Sequence, residues 1–367
     1  YNMGHIEKLP AADLQAALKR ETGKKQMESV TIKDIAKRCN VAVSTVSRAI
    51  NNHPDINPET RKKIMKVIEE NNYIPNNSAQ NLKKTVSRSI GVIIKGADNQ
   101  LFAKMRPVLV EGIGRYDYDS YMEYVSISGD EIREAMRLVK EKRLKGLIFL
   151  GGNHNRSVEE LKSLPVPFVT ATVDMEDSVP KNLYSSVSVD SYQESYRMVD
   201  YLCSRGYRKI VIFTGSRGDE SVGRLRLNGY RDALRDNHIE PDEKRIWYSQ
   251  DWAEDVFSMA NGYRLGKKLI SSGIEFDCVY AVADSIAIGA CKALLESGVR
   301  IPEDCGIAGF DGLEETQYYH PSLTTMRQPV EKIAEESVRI LFAMLHNGEP
   351  NQQRTFPCEL MERESTK

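Results

Sequence analysis

The chain has 367 residues, 41% of them apolar, and a formal net charge of −1, enough to bury substantial cores in about two to three units of ordinary domain size. Its six cysteines, Cys39, Cys203, Cys278, Cys291, Cys305 and Cys358, are scattered singly; with no C-x-x-C spacing and no histidine cluster they suggest neither a disulfide framework nor a zinc site, and no metal or cofactor is expected. No run approaches the roughly 18 apolar residues of a membrane span and the N-terminus lacks a signal peptide's apolar stretch, so a cytoplasmic protein without a membrane partner is the expectation.

In chain order, residues 1–28 begin without methionine, are polar and carry one short amphipathic stretch, Ala11 to Leu18. They read as a disordered leader, a cloning remnant or a mis-start upstream of Met27, with no function assigned. From Met27 to Ile90 eleven lysines and arginines face six acids, whereas beyond Ile90 35 face 43. A small basic module on a large acidic one suggests a polyanion partner for the first.

Residues 29–75 carry three helical patterns with short breaks. Thr31 can cap a helix with Ile32, Ile35, Ala36 and Cys39 on its inner face, and Asn40 supplies the turn. A second helix from about Val43 to Ile50 is expected to bury Val46 and Ile50, and Asn51, Asn52, His53 and Pro54 break it. Asn57, Pro58 and Glu59 start a third, with Ile64, Val67 and Ile68 as its buried stripe. Residues 76–89 hold a short helix capped by Asn76, from Asn77 to Lys83, and a polar linker.

From residue 90 to 367 apolar runs alternate with amphipathic helices: GVIIK from Gly91, EYVSIS from Glu123, GLIFLG from Gly146, FVTAT from Phe168, KIVIFTG from Lys209, CVYAVAD from Cys278 and GIAGFD from Gly306. Strands of this kind imply parallel sheets covered on both faces, too many for one sheet, hence two doubly wound lobes of an α/β domain. A ligand would sit at the strands' carboxyl ends, in a cleft between the lobes.

The segment VTIKDIAKRCNVAVSTVSRAINN, Val30 to Asn52, resembles the helix-turn-helix of the lactose/galactose repressor family nearly position by position, and the resemblance runs on through NNYIPNNSAQNLKK to Lys84 and more loosely to the C-terminal part. It implies an all-α helix-turn-helix headpiece joined to a two-lobed, periplasmic-binding-protein-like domain for effector binding and dimerisation. It further implies a homodimer that represses transcription from a palindromic DNA operator under control of a small carbohydrate. By resemblance Val43, Ser44 and Arg48 face base edges; a guanidinium suits guanine O6 and N7. Thr31, Thr45 and Ser47 are phosphate contacts. Asn76, Ala79 and Leu82 belong to a hinge helix whose leucine wedges into the minor groove, the alternative for Leu82 being packing against its own domain. So short a helix should order only on DNA. One departure is Ala42, where the family usually has a capping serine or threonine.

Three further stretches, SVGRLRLNGY from Ser221, ADSIAIG from Ala283 and GFDG from Gly309, match sugar-responsive relatives. They imply that Arg226 and Asp311 line the cleft; the alternative is a structural ion pair. Trp252 could offer a flat face to a sugar ring or be core or surface. Asp98, Phe102 and Thr172 are candidates at the cleft-facing strand ends of the first lobe. Ala283 stands where many relatives have a polar residue.

Gly215, Gly218 and Gly223 fit neither a dinucleotide fingerprint nor a P-loop. With no nucleophile elbow, H-E-x-x-H or triad, an enzyme is not expected. A transporter's solute-binding protein would share the two-lobed fold but need export. The tail after Glu359 lacks a leucine heptad, which favours a dimer over a tetramer.

Overall fold

A computed structural model describes residues 31–50, 53–71, 88–96, 99–218, 220–249 and 256–367, and the chain divides into two units, Tyr1–Thr85 and Val86–Lys367. In the first, α1 (Ile32–Cys39) starts where Thr31 closes a capping box: its Oγ1 accepts from the N–H of Asp34 (3.4 Å), and Oδ2 of Asp34 accepts from the N–H of Thr31 (2.8 Å). Asn40, at φ 55°, ends it in the left-handed conformation that a short polar side chain tolerates. Next comes α2 (Val43–Ile50), then α3 (Pro58–Glu70), capped by Asn57 with Pro58 where its missing N–H costs nothing.

Ile35, Ala36, Cys39, Val46, Ala49 and Ile64 form the core of this unit, with Ile32, Ile50, Val67 and Ile68 packed against it. The pattern put Ile50 inside, but Ala49 holds that place and Ile50 is half-buried. The reason is that α3 closes on the Ala49 side, where Arg61 Nε donates to the Ala49 carbonyl (3.4 Å).

The second unit begins with β1 (Ser89–Lys95), α4 (Gln100–Gly114), β2 (Asp119–Val125), α5 (Glu131–Lys142), β3 (Gly146–Leu150), α6 (Val158–Ser163), β4 (Phe168–Ala171) and β5 (Ser185–Val189). It continues with α7 (Ser191–Ser204), β6 (Ile210–Thr214), α8 (Val222–Asp236), β7 (Ile246–Tyr248), α9 (Met259–Ser271), β8 (Cys278–Ala281), α10 (Asp284–Glu296), β9 (Gly306–Asp311) and β10 (Thr324–Arg327). It closes with α11 (Val330–Asn347), β11 (Gln353–Phe356) and β12 (Glu359–Met361).

Two six-stranded sheets result, β11-β5-β4-β3-β1-β2 and β12-β10-β9-β8-β6-β7. Every neighbouring pair is parallel except β10 with β12. Each sheet makes a lobe, and the chain passes between them from β5 into α7, from β10 into α11 and from β11 into β12. Strands β3 and β6 are buried at every position, as all-parallel sheets require when helices cover both faces. Strand order reverses between β1 and β3 and again between β6 and β8, so each lobe opens a crevice at its strands' carboxyl ends.

The strand expected from Glu123 lies four residues earlier: β2 pairs with β1 from Ser89↔Asp119 to Lys95↔Val125, and Ser126 to Gly129 is a turn closed by Gly129 N–H to Ser126 O (2.9 Å). As an edge strand it has six of its seven residues exposed or half-buried, with no apolar run, and that hid its start. Strands β5, β7, β10, β11 and β12 were not in the sequence pattern. In β5 the sequence SSVSV reads as loop, yet all five residues are buried, because Ser185 Oγ donates to Asn351 Oδ1 (3.0 Å) and Ser186 Oγ to Asp174 Oδ1 (2.7 Å).

Candidate functional site

The first unit offers an exposed helix face. On α2, Val43, Ser44 and Arg48 are exposed, and Thr45 and Ser47 are half-buried, so the three side chains assigned to base edges share the open side. Helix α2 begins with the N–H groups of Thr45 and Val46 on the carbonyl of Ala42 (2.9 and 3.2 Å). Thr31 is exposed at the start of α1, where its hydroxyl donates to Asp34 Oδ2 (2.6 Å). That hydrogen bond holds the Asp34 carboxyl below its usual range. Asn76, Ala79 and Leu82 lie outside the described residues.

In the second unit the chemistry gathers at the carboxyl end of β9. Strand β9 ends with Asp311 at φ 119° and Gly312 at φ 70°; a Cβ on Gly312 would stand 2.4 Å from the Arg327 Cα, so only glycine fits between β9 and β10. This turn aims Asp311 at α8 and α10. Arg226, on α8 and 5% exposed, donates from Nη1 to the Val282 carbonyl (2.6 Å), stands 3.5 Å from Asp311 Oδ1 and lies 3.6 Å over the Phe310 ring centroid. Asp311 also accepts from Gln328 Nε2 (2.8 Å). Ala283 caps α10 with no side-chain hydrogen bond, and the acid of the helix's first turn is Asp284.

Sequence reasoning did not single out two members of this cluster. Asp284 is fully buried and accepts from the Leu313 N–H (2.7 Å) and Thr325 Oγ1 (2.6 Å), tying α10 to β10 and to the turn after β9. Gln328 sits on the crossover from β10 to α11, its own N–H on the Asp311 carbonyl (3.1 Å). Asp284 was visible as the acid of ADSIAIG; Gln328 follows a strand that the pattern did not reveal. Burial pushes the Asp311 carboxyl up to about 6, against the pull of the Arg226 guanidinium beside it. Burial and the Asp311 charge push Asp284 well above the usual carboxylate range.

In the first lobe Phe102 and Thr172 meet at Gly151. Phe102 lies in the first turn of α4 rather than at a strand end, and its buried ring fills the space a Cβ on Gly151 would enter (2.9 Å). Thr172, at φ 75°, follows β4 and accepts from the Gly151 N–H (3.3 Å). In the loop after β3, His154 donates its N–H to the Glu220 carbonyl before α8 (3.0 Å), one lobe touching the other away from the crossovers. Asp98 and Trp252 lie outside the described residues. Among the described residues no acid, histidine or cysteine cluster could hold a metal ion, and no helix is long and apolar enough to cross a membrane. The Arg226, Asp311 and Gln328 set suits hydroxyl groups, which both donate and accept.

An exposed helix-turn-helix on a separate unit, beside a two-lobed α/β unit with buried polar groups at its strand ends, defines a DNA-binding transcription regulator with a binding-protein-like core. The comparisons agree: residues 31–76 match the bacterial regulatory proteins of the lacI family, and residues 199–366 a periplasmic binding protein-like domain. The chain is 37% identical over 338 residues to the HTH-type transcriptional regulator MalR of Clostridium butyricum, covering 92% of this chain and 99% of that one. It is 30% identical to the probable HTH-type transcriptional repressor ExuR of Bacillus subtilis, covering 92% and 98%. Among solved structures, the lac repressor dimer bound to operator and the anti-inducer ONPF aligns with a TM-score of 0.71 at 26% identity, covering 92% and 99%. The chain belongs to the lacI family of bacterial regulatory proteins, and is a transcription regulator rather than an enzyme.

Proposed function

We propose that the protein is a homodimeric repressor that binds a palindromic operator through α2 and is controlled by a small carbohydrate held between its lobes at Arg226 and Asp311. On this reading residues 29–75 bind DNA, residues 76–89 form the hinge, with Asn76, Ala79 and Leu82 at the minor groove, and residues 90–367 bind the effector and dimerise. Val43, Ser44 and Arg48 read bases while Thr31, Thr45 and Ser47 hold phosphates; Phe102, Thr172, Asp98 and Trp252 complete the effector cleft. The protein acts in the cytoplasm, where its operator is. The observation that carries the effector reading is the buried Arg226 and Asp311 pair at the carboxyl end of β9, chemistry matched to hydroxyls and placed where α/β sheets bind ligands. Kinship to a repressor described as a dimer on its operator supports the DNA half.

The test is a two-by-two titration, by anisotropy on an operator recovered by gel shift and by calorimetry for ligand. Arg226→Ala and Asp311→Ala should leave ligand-free operator binding intact and abolish the ligand's effect, which is bounded by its differential affinity for the two states. Leu82→Ala should weaken operator binding and spare ligand affinity. Arg48→Ala should relax base preference by about 1 to 3 kcal/mol. Effector variants that still respond normally would refute the cleft assignment.

A further inference from the structure

Two buried polar atoms of the Asp311 cluster have no partner: Arg226 Nε and Gln328 Oε1. Arg226 is 5% and Gln328 3% exposed, so bulk water does not satisfy them, and buried polar groups are otherwise almost always paired. The orientation of the Gln328 amide is fixed by its surroundings. Nε2 donates to Asp311 Oδ1 (2.8 Å), and a carboxylate only accepts, so a flipped amide would set oxygen against oxygen. One atom therefore needs an acceptor and the other a donor, both on side chains that touch the same carboxyl.

Resting on the effector-cleft reading above, we propose that Gln328 contacts the effector, its Oε1 accepting from a ligand hydroxyl while Arg226 Nε donates to that or a neighbouring hydroxyl, and that this pairing selects a neutral ligand over an acidic one. A hydroxyl meets both demands. A carboxylate or phosphate would satisfy Arg226 Nε but brings no proton for Gln328 Oε1. It would also stand beside the buried carboxyls of Asp311 and Asp284, which repel a further anion. Gln328 lies on the crossover between β10 and α11, with its N–H on the Asp311 carbonyl (3.1 Å) and its carbonyl accepting from Val330 (2.9 Å). A ligand on its side chain thereby pulls directly on a strand that joins the lobes.

The experiment uses the full chain. Thermal shift is run with neutral mono- and disaccharides of glucose and galactose beside glucuronate, galacturonate and glucose 6-phosphate; stabilisation by neutral sugars and not by the acids is expected. Calorimetry then compares the best neutral binder with its monodeoxy derivatives on wild type, Gln328→Met and Gln328→Asn. One deoxy derivative should lose about tenfold more affinity on wild type than on either variant, as expected for one hydrogen bond to Gln328. Ligand-free operator binding checks that the variants are folded. Preference for the acids, binding of no neutral sugar, or deoxy losses that are the same in variants and wild type overturn the proposal; the last is what a merely structural Gln328 gives. If Arg226→Ala keeps full affinity the cleft reading itself has failed, whereas loss there with unaltered Gln328→Met removes only this inference.

Discussion

Each lobe buries a cluster of charged side chains, and the two are balanced in opposite directions. In the first lobe Glu131, at the start of α5, lies between Lys95 Nζ (2.9 Å) and the Arg156 guanidinium, with all three side chains 12% exposed or less. Burial pushes the Glu131 carboxyl up, but the two cations outweigh it and hold the carboxyl below its usual range. In the second lobe the buried carboxyls of Asp284 and Asp311 act on each other, with Arg226 beside Asp311 and the charge of Arg363 reaching Asp284, and both are raised. Where two cations flank one buried carboxylate, with Arg156 also meeting Glu160 (2.9 Å), ionisation is locked in and the cluster braces its lobe. Where two carboxyls are buried against each other, the ionised form gains from any further donor, which on the proposed reading a ligand's hydroxyls supply.

The contrast breaks most visibly if each carboxyl is made an amide. Glu131→Gln takes from Lys95 the carboxylate it is paired with and leaves Arg156 only Glu160, which it meets at 2.9 Å, so it should cost about 3 kcal/mol in urea denaturation. Asp311→Asn keeps an oxygen for Gln328 Nε2 and removes a carboxyl that resists ionising, so its cost should be under about 1 kcal/mol while the ligand response disappears. Equal losses from the two substitutions would mean that the lobes do not differ in this way.

A pH series sharpens the same comparison. The raised Asp311 carboxyl, at about 6 in the folded protein, holds its proton more tightly folded than unfolded. Its contribution to stability is therefore fully present below about pH 4 and lost as pH rises through about 6. The lowered Glu131 carboxyl contributes in the reverse sense, present above about pH 4.3 and lost as pH falls. The stability of Asp311→Asn relative to wild type should accordingly improve between about pH 4 and 6, and that of Glu131→Gln worsen as pH rises from acid toward neutrality. A hydroxyl donating to Asp311 favours its charged form, so ligand affinity should rise over the window in which Asp311 ionises; a flat affinity profile across pH 5 to 7, about the usual working range, would dissociate the carboxylate from the ligand.

The same difference between met and unmet groups governs what the sequence disclosed. Helices α1 and α3 were legible because their ends are written in residues: Thr31 with Asp34, and Asn57 with Pro58. The apolar runs of β1, β3, β6 and β9 announced themselves, whereas β5 was hidden because partners from distant segments, Asp174 and Asn351, make its serines acceptable inside. Arg226 and Asp311 came from family resemblance. Asp284 and Gln328 did not, because nothing local marks a polar residue as buried; that depends on neighbours about 30 to 40 positions away or, for Gln328, on Asp311 across one strand connection.

The smallest effect expected lies in the headpiece, where α1 and α2 repeat the contrast. Helix α1 has a full capping box, so Thr31→Ala should cost about 1 kcal/mol. Helix α2 starts at Ala42, whose carbonyl receives Thr45 and Val46 but whose methyl can accept nothing from the first-turn N–H groups. Ala42→Ser places an acceptor there and should stabilise the headpiece by up to about 1 kcal/mol. Ala42 is exposed, so the hydroxyl adds no overpacking, and it would also stand at the end of the recognition helix where a phosphate can be reached. Thermal unfolding of the wild-type and Ala42→Ser headpieces, read within the full chain by the far-ultraviolet circular dichroism of its first transition, measures the cap. Operator affinity measures the phosphate, as a gain at every salt concentration with the slope unchanged, since a hydroxyl carries no charge. A gain in stability with unchanged operator affinity would assign the serine to the cap alone, a gain in both to cap and phosphate, and no gain in stability would mean that the backbone of Ala42 already meets the helix's needs.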